Sequence, residues 1–161
     1  MKTTLALITT FAVAFVMGPL AGGVRAAHAD APVACTVVEI EASTSDAPAV
    51  DAELRPLEKK LKKPPFSSWN TFKQLGSHAV SLEPMKSNTL TLTHGKAQLL
   101  LREVTVKNPK KTRIALGISL DDADGKRVLD SKVAVDAGDY LVVGRSLKGN
   151  RGQLLAMNCK P

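Results

Sequence analysis

The stretch Thr89-Leu90-Thr91-Leu92-Thr93, followed by His94-Gly95-Lys96 and the apolar run at 97–106, decides the fold class. Strict alternation is the period of a half-buried strand, because successive side chains of a pleated chain point to opposite faces. His94-Gly95-Lys96 is a turn. Residues 97–106 are apolar on both faces, as in a strand inside a sheet.

The pattern continues on both sides of this hairpin. Residues 107–111 are a Lys-Asn-Pro-Lys-Lys turn, and 112–120 place Ile114, Leu116, Ile118 and Leu120 on one face. A turn at 121–126 contains Asp124-Gly125. Further strands are expected at 127–135, 140–146 and 153–159, with turns at 136–139 and 147–152. Upstream, 34–42 is rich in β-branched residues. Val37 and Val38 are adjacent there, which requires either cover on both faces or a bulge. Short strands at near-regular spacing predict a mainly β fold. The expected architecture is an antiparallel β-sandwich or partly open barrel of about seven to eight strands. One short N-terminal amphipathic helix accompanies it.

That helix comes from Val50, Leu54, Leu57 and Leu61, which recur at helical spacing. Pro56 suits a first turn, and Pro64-Pro65 ends the segment, giving a helix over 56–62. Residues 43–50 before it read as an exposed linker. Lys59, Lys60, Lys62 and Lys63 fall away from the leucines. They are either an anion-binding patch or the solvated face that any amphipathic helix needs. Phe66, Trp69, Phe72 and Leu75 follow. Ser67 and Gly76 would bound a short helix there. Extended structure over 71–82, bent at Gly76, is the preferred alternative. Aromatic residues are scarce in this chain, so a core role outweighs a ligand-binding row.

Phe66-Ser67-Ser68-Trp69 with Phe72-Lys73-Gln74-Leu75, the strand around Leu141-Val142-Val143-Gly144, and Gly152-Gln153-Leu154-Leu155-Ala156 resemble a pattern in exported bacterial proteins of unknown function. Those proteins carry a basic, Leu-rich helix followed by a β-domain. The resemblance implies a fold and no activity.

The N-terminus reads as a signal peptide over 1–29. Lys2 precedes an apolar run from Leu5 to Met17, Gly18-Pro19 ends it, and Ala27-His28-Ala29 offers the small residues that precede cleavage. The run is short for a membrane anchor. Val33-Ala34-Cys35 is a poor lipidation signal, because Pro32 sits where a branched apolar residue belongs. A single β-rich domain then occupies 30–161, exported to the periplasm or the extracellular space. With Lys2 and Arg25 gone, Lys and Arg exceed Asp and Glu by five. That excess permits an acidic partner without requiring one.

Two cysteines, Cys35 and Cys159, lie in the first and last strands of an exported domain. Thiols so placed are expected to pair, which makes those strands neighbours. The chain-entropy estimate for so long a loop is about 4–5 kcal/mol.

No catalytic or metal constellation is legible. His78 and His94 have no second ligand at metal-binding spacing, and His94 reads as a surface turn residue. No Ser lies in a nucleophile elbow. Asp121-Asp122-Ala123-Asp124-Gly125 fails the calcium-loop pattern, since Leu120 and Ser131 would be its first and twelfth places. No cofactor is expected. The Thr89, Thr91, Thr93 row needs no function beyond a half-exposed strand. If the last five strands form a meander, the 107–111 turn lies beside the acidic 136–139 turn. The 121–126 turn would then lie beside Lys148 and Arg151. Such mixing of signs, without aromatic residues among the basic ones, argues against nucleic acid.

Two functions remain. One is a non-catalytic cell-envelope domain that binds or supports another envelope component, using a sheet edge or loop end. The other is a binder of anionic polymer or lipid headgroups through Lys59, Lys60, Lys62, Lys63, Lys107, Lys110, Lys111 and Arg113.

Overall fold

The computed structural model describes residues 31–108 and 111–161. The expected leader, 1–29, lies outside the described residues, as do Asp30, Pro109 and Lys110. The described chain is mainly β. In order, the strands are β1 (Val33–Ser43), β2 (Ala49–Val50), β3 (Thr71–Leu82), β4 (Ser87–Leu92), β5 (Gly95–Asn108), β6 (Lys111–Asp121), β7 (Arg127–Asp136), β8 (Tyr140–Leu147) and β9 (Arg151–Lys160). One sheet has the order β2-β3-β1-β9-β8 and the other β4-β5-β6-β7. All the pairings are antiparallel except the two-residue β2, which runs parallel to β3.

Adjacent Val37 and Val38 are explained by cover on both faces. Val33, Cys35 and Val37 point into the core between the sheets, with Leu99, Leu116, Leu155 and Met157. Val38, Ile40 and Ala42 point the other way, against a second apolar cluster. β1 runs on without a bulge of its own. The register slip opposite Glu39 and Ile40 falls in β3, where Leu75 is the extra residue between Gln74 and Gly76.

In place of one helix over 56–62, a broken helical excursion covers the outer face of the five-stranded sheet. It comprises a 3-10 turn Ala52–Leu57, a single α turn α1 (Glu58–Leu61) and a second 3-10 turn Phe66–Ser68. Leu54, Leu57 and Leu61 are buried against Ile40, Phe72 and Leu154. Burying each such leucine is worth about 1.5–3 kcal/mol. These three side chains hold the excursion down, since so short a helix has little stability alone. The segment before it is pinned as well. Asn70 accepts from the Ser45 N–H at 2.9 Å and donates to the Ser45 carbonyl at 2.8 Å.

The disulfide is present. Cys35 and Cys159 are direct partners across β1 and β9, bonded through sulfur, with Cα atoms 4.1 Å apart.

The five-strand meander is not formed. The meander is β4 to β7, and β8 crosses to the other sheet to pair with β9. The reason lies in the side chains. Leu141 and Val143 join the core between the sheets, while Tyr140 and Val142 join the outer cluster, so β8 needs cover on both faces. In β7, Asp130, Lys132 and Ala134 are exposed, which suits a sheet with one wet face. One consequence stands and one changes. Lys111 meets Asp136 at 3.0 Å, so the basic and acidic turns do adjoin. Arg151, however, lies by Glu41 of β1 at 3.4 Å, while Asp121 pairs with Arg127.

Candidate functional site

The sheet edges differ in chemistry. β2 is two residues long and β4 six, with alternate positions exposed. β7 is longer but carries Arg127, Asp130, Lys132 and Asp136, the kind of charge that protects an edge from pairing. β8 is Tyr-Leu-Val-Val-Gly-Arg-Ser-Leu, and its one charged residue is turned inward. Arg145 donates from Nε to Gln153 Oε1 at 3.0 Å and from a terminal nitrogen to the His94 carbonyl at 2.8 Å. Of the two longer terminal strands, β8 carries less outward charge than β7. β3 is also unpaired on its outer side beyond Phe72, where β2 ends.

The register shows which main-chain groups face outward. The Gly138 N–H donates to the Cys159 carbonyl at 2.8 Å, so the main-chain groups of Cys159 face β8. The short Cα separation of Cys35 and Cys159 agrees, being that of a cross-strand pair without mutual hydrogen bonds. Alternation then turns Met157, Leu155 and Gln153 toward β8, where they meet Leu141, Val143 and Arg145. Tyr140, Val142, Gly144 and Ser146 therefore direct their N–H and C=O groups away from β9. Lys60 already uses one of these groups, donating from Nζ to the Tyr140 carbonyl.

Beside this edge lies a groove of about 300 Å³. Lys60, Lys63 and Phe66 form one wall, and Tyr140, Leu141 and Val142 the other. Leu141 and Val142 point to opposite faces of β8. A concavity that touches both wraps the strand's edge.

The expected basic residues fall into two groups that flank one turn. Lys60 reaches Tyr140 from the helical side, while Lys62 pairs with Glu58 at 2.5 Å. That bond holds the Glu58 carboxyl below its ordinary range. From the other side Lys111 meets Asp136, and the Ala137 N–H donates to the Thr112 carbonyl at 2.8 Å. The hydrogen bond from Lys111, followed by the charges of Lys111, Arg113 and Lys107, lowers the pKa of Asp136. Lys59 and Lys63 are exposed, and Lys110 is not described.

Sequence reasoning missed a polar network between the sheets. Glu39 is 2% exposed and accepts from the Thr93 N–H at 3.0 Å, the Thr93 hydroxyl at 3.0 Å and Gln153 Nε2 at 3.0 Å. Gln153 in turn accepts from Arg145. His94 is half-buried, with Nε2 3.5 Å from Glu41 Oε2, which also faces Arg151. His94 is a turn residue as expected, but its main-chain carbonyl and the Thr93 donors make this turn a latch. The β4–β5 hairpin tip is fastened onto β1, β8 and β9. Glu39 sits on the core face of β1, and a carboxylate at a core-facing position was the available signal.

The acidic turn shows how its carboxylates are used. Asp122 Oδ1 accepts from the Asp124 N–H at 3.0 Å and the Lys126 N–H at 2.9 Å, and Asp121 pairs with Arg127. These bonds shape the hairpin. No group of three or more His, Cys, Asp or Glu suited to a metal occurs among the described residues. No helix among them is long and apolar enough to cross a membrane. No family model, curated protein or solved structure matches the chain.

Proposed function

We propose that this chain is an exported, non-catalytic cell-envelope domain that binds another envelope protein by accepting an extended strand at the free side of β8. The apolar, uncharged face of that edge carries the reading. Main-chain groups of Val142, Gly144 and Ser146 offer a ladder, and the half-buried side chains of Leu141, Val142 and Val143 offer contacts for alternate residues of an incoming strand. The Cys35–Cys159 disulfide supports export, because such bonds persist in oxidising compartments. It also ties β1 to β9, and β9 is the strand on which β8 rests. The accepting edge is thus mounted on a strand that the disulfide ties to its other neighbour. The resemblance to exported bacterial β-domains is part of the same proposal.

Proline substitution on the two faces of the ladder tests this. Val142→Pro removes an N–H that faces outward and leaves the β8–β9 bonds intact. Val143→Pro removes one that faces β9. The expected result is a folded V142P protein that no longer cross-links to its partner in intact cells, and a V143P protein with lowered stability. An undiminished cross-link in folded V142P would exclude this edge as the contact. The anion-binding alternative is less favoured as a function in its own right, because Lys62 and Lys111 are held in ion pairs with Glu58 and Asp136.

A further inference from the structure

We infer that the strand accepted by β8 is acidic at the end lying over the 136–140 turn, where Lys60 and Lys63 receive its carboxylates. This rests on the edge-binding reading above and adds the chemistry of the partner.

Three observations carry it. First, the walls of the groove beside the edge combine the apolar Phe66, Tyr140 and Val142 with Lys60 and Lys63. An incoming side chain on the helical face of the sheet enters this groove. Its apolar part meets the aromatic walls, and a carboxylate at that position meets Lys60 or Lys63. Secondly, positive charge approaches the same turn from the opposite sheet. Lys107, Lys111 and Arg113 surround Asp136, and only Lys111 is paired with it. Asp136 and Asp139 in the turn offset part of this charge, but Lys60, Lys63, Lys107, Lys111 and Arg113 outnumber them. The Tyr140 end of β8 therefore lies in a net positive field, which favours carboxylates and steers their approach.

Thirdly, the charge distribution disfavours a second copy of this chain as occupant. Two β8 edges pairing antiparallel would set the Tyr140 end of one against the Leu147 end of the other. Lys148 stands at that second end, while Arg151 there is paired with Glu41. The lysines at the groove would then face Lys148, and like charges brought together oppose pairing. An acidic strand from a different protein meets only Asp139 and the Asp136 carboxylate already paired with Lys111.

Short synthetic peptides of alternating Val and Thr, with Glu at one end, provide the probe. Matched peptides carry Lys or Gln in place of Glu, and binding to the intact disulfide-bonded protein is read by anisotropy of a fluorescent label. The Glu peptide is expected to bind most tightly and the Lys peptide least. The double variant Lys60→Glu, Lys63→Glu should weaken the Glu peptide about tenfold and strengthen the Lys peptide. Lys132→Glu, an equal reversal of one charge on the exposed β7, should change either by less than about twofold. Equal binding of all three peptides, abolished by V142P, would overturn the charge inference and leave the edge reading standing. No binding of any peptide, or binding that V142P leaves intact, would overturn both. Retention of inorganic polyphosphate that depends on Lys60 and Lys63 but survives V142P would replace the acidic strand with a polyanion.

Discussion

Gln153 of β9 donates from Nε2 to Oε1 of Glu39 of β1 at 3.0 Å, and both side chains are almost wholly buried. The pair lies under the β4–β5 hairpin, whose Thr93 supplies two more donors to the same carboxylate. Leaving buried donors without an acceptor costs about 1–3 kcal/mol, more than the net gain from making the bonds. Glu39→Leu is therefore expected to destabilise the protein by about 2–3 kcal/mol, measured from its urea midpoint. Adding Gln153→Leu should recover part of the loss, since one stranded amide is removed. A loss below about 0.5 kcal/mol for Glu39→Leu would mean that the hairpin tip is held by other contacts.

Trp69 and Gly152 make a second close pair. A Cβ on Gly152 would lie 2.6 Å from two atoms of the indole ring, and the ring's Nε1 also donates to the Asn150 carbonyl at 3.2 Å. Gly152→Ala must displace the ring or the strand, at about 1–3 kcal/mol. The chain has one tryptophan, so its fluorescence reports the displacement directly. In a Trp69→Ala background the same substitution should be nearly neutral, and equal costs in both backgrounds would rule out the clash.

The strands were legible because alternation and Gly, Asn and Asp turns are local signals. The doubled apolar pattern of β1 was legible as cover on both faces or a bulge, and cover is found. The same reading of 97–106 fails, because Arg102 and Glu103 of β5 are exposed. β8 and β9 were legible only as strands. Which strands share a sheet was not. Residues 127–135 and 140–146 are joined by a short turn, which normally makes neighbours, yet cover on the outer face sends β8 to the other sheet. The disulfide was readable from two cysteines and the expectation of export. The groove was not, because Lys60 and Tyr140 are distant in sequence and meet only once Leu57 and Leu61 seat the helical excursion. Glu39 escaped notice for a similar reason: its three donor groups come from the β4–β5 turn and from β9.

Asp136 and Lys111 yield a pH prediction. The Asp136 carboxyl titrates lower in the folded protein than in the unfolded chain, because of the bond from Lys111 and nearby cationic charge. A depressed carboxylate contributes stability that is present above the unfolded pKa and is lost as pH falls through the folded value. Stability from this pair should therefore be complete above about pH 4 and decline below it. Lys111→Met should shift the Asp136 titration, followed by carboxyl NMR, upward toward the ordinary range. An unchanged midpoint would assign the depression to Arg113 and Lys107 alone.

The disulfide closes a loop between residues 124 positions apart, so it confines almost the whole described chain in the unfolded state. Loop-closure entropy for such a separation corresponds to about 4–5 kcal/mol, a large part of the stability of a small domain. Both cysteines are nearly inaccessible, at 3% and 1% exposed. Reductant alone should therefore leave the thiols unalkylated in the native protein. Reductant with denaturant should expose both, adding two alkyl groups in an intact-mass measurement. Replacing both cysteines with Ala leaves no stranded thiol and isolates the effect of the cross-link. The urea midpoint should fall by the equivalent of several kcal/mol, while the m value rises because the unfolded chain is freed to expand. β8 rests on β9, so the variant should also lose affinity at the edge as the β1–β9 ladder loosens. A double variant with unchanged midpoint and m value would show that the β1–β9 ladder alone holds the two ends together.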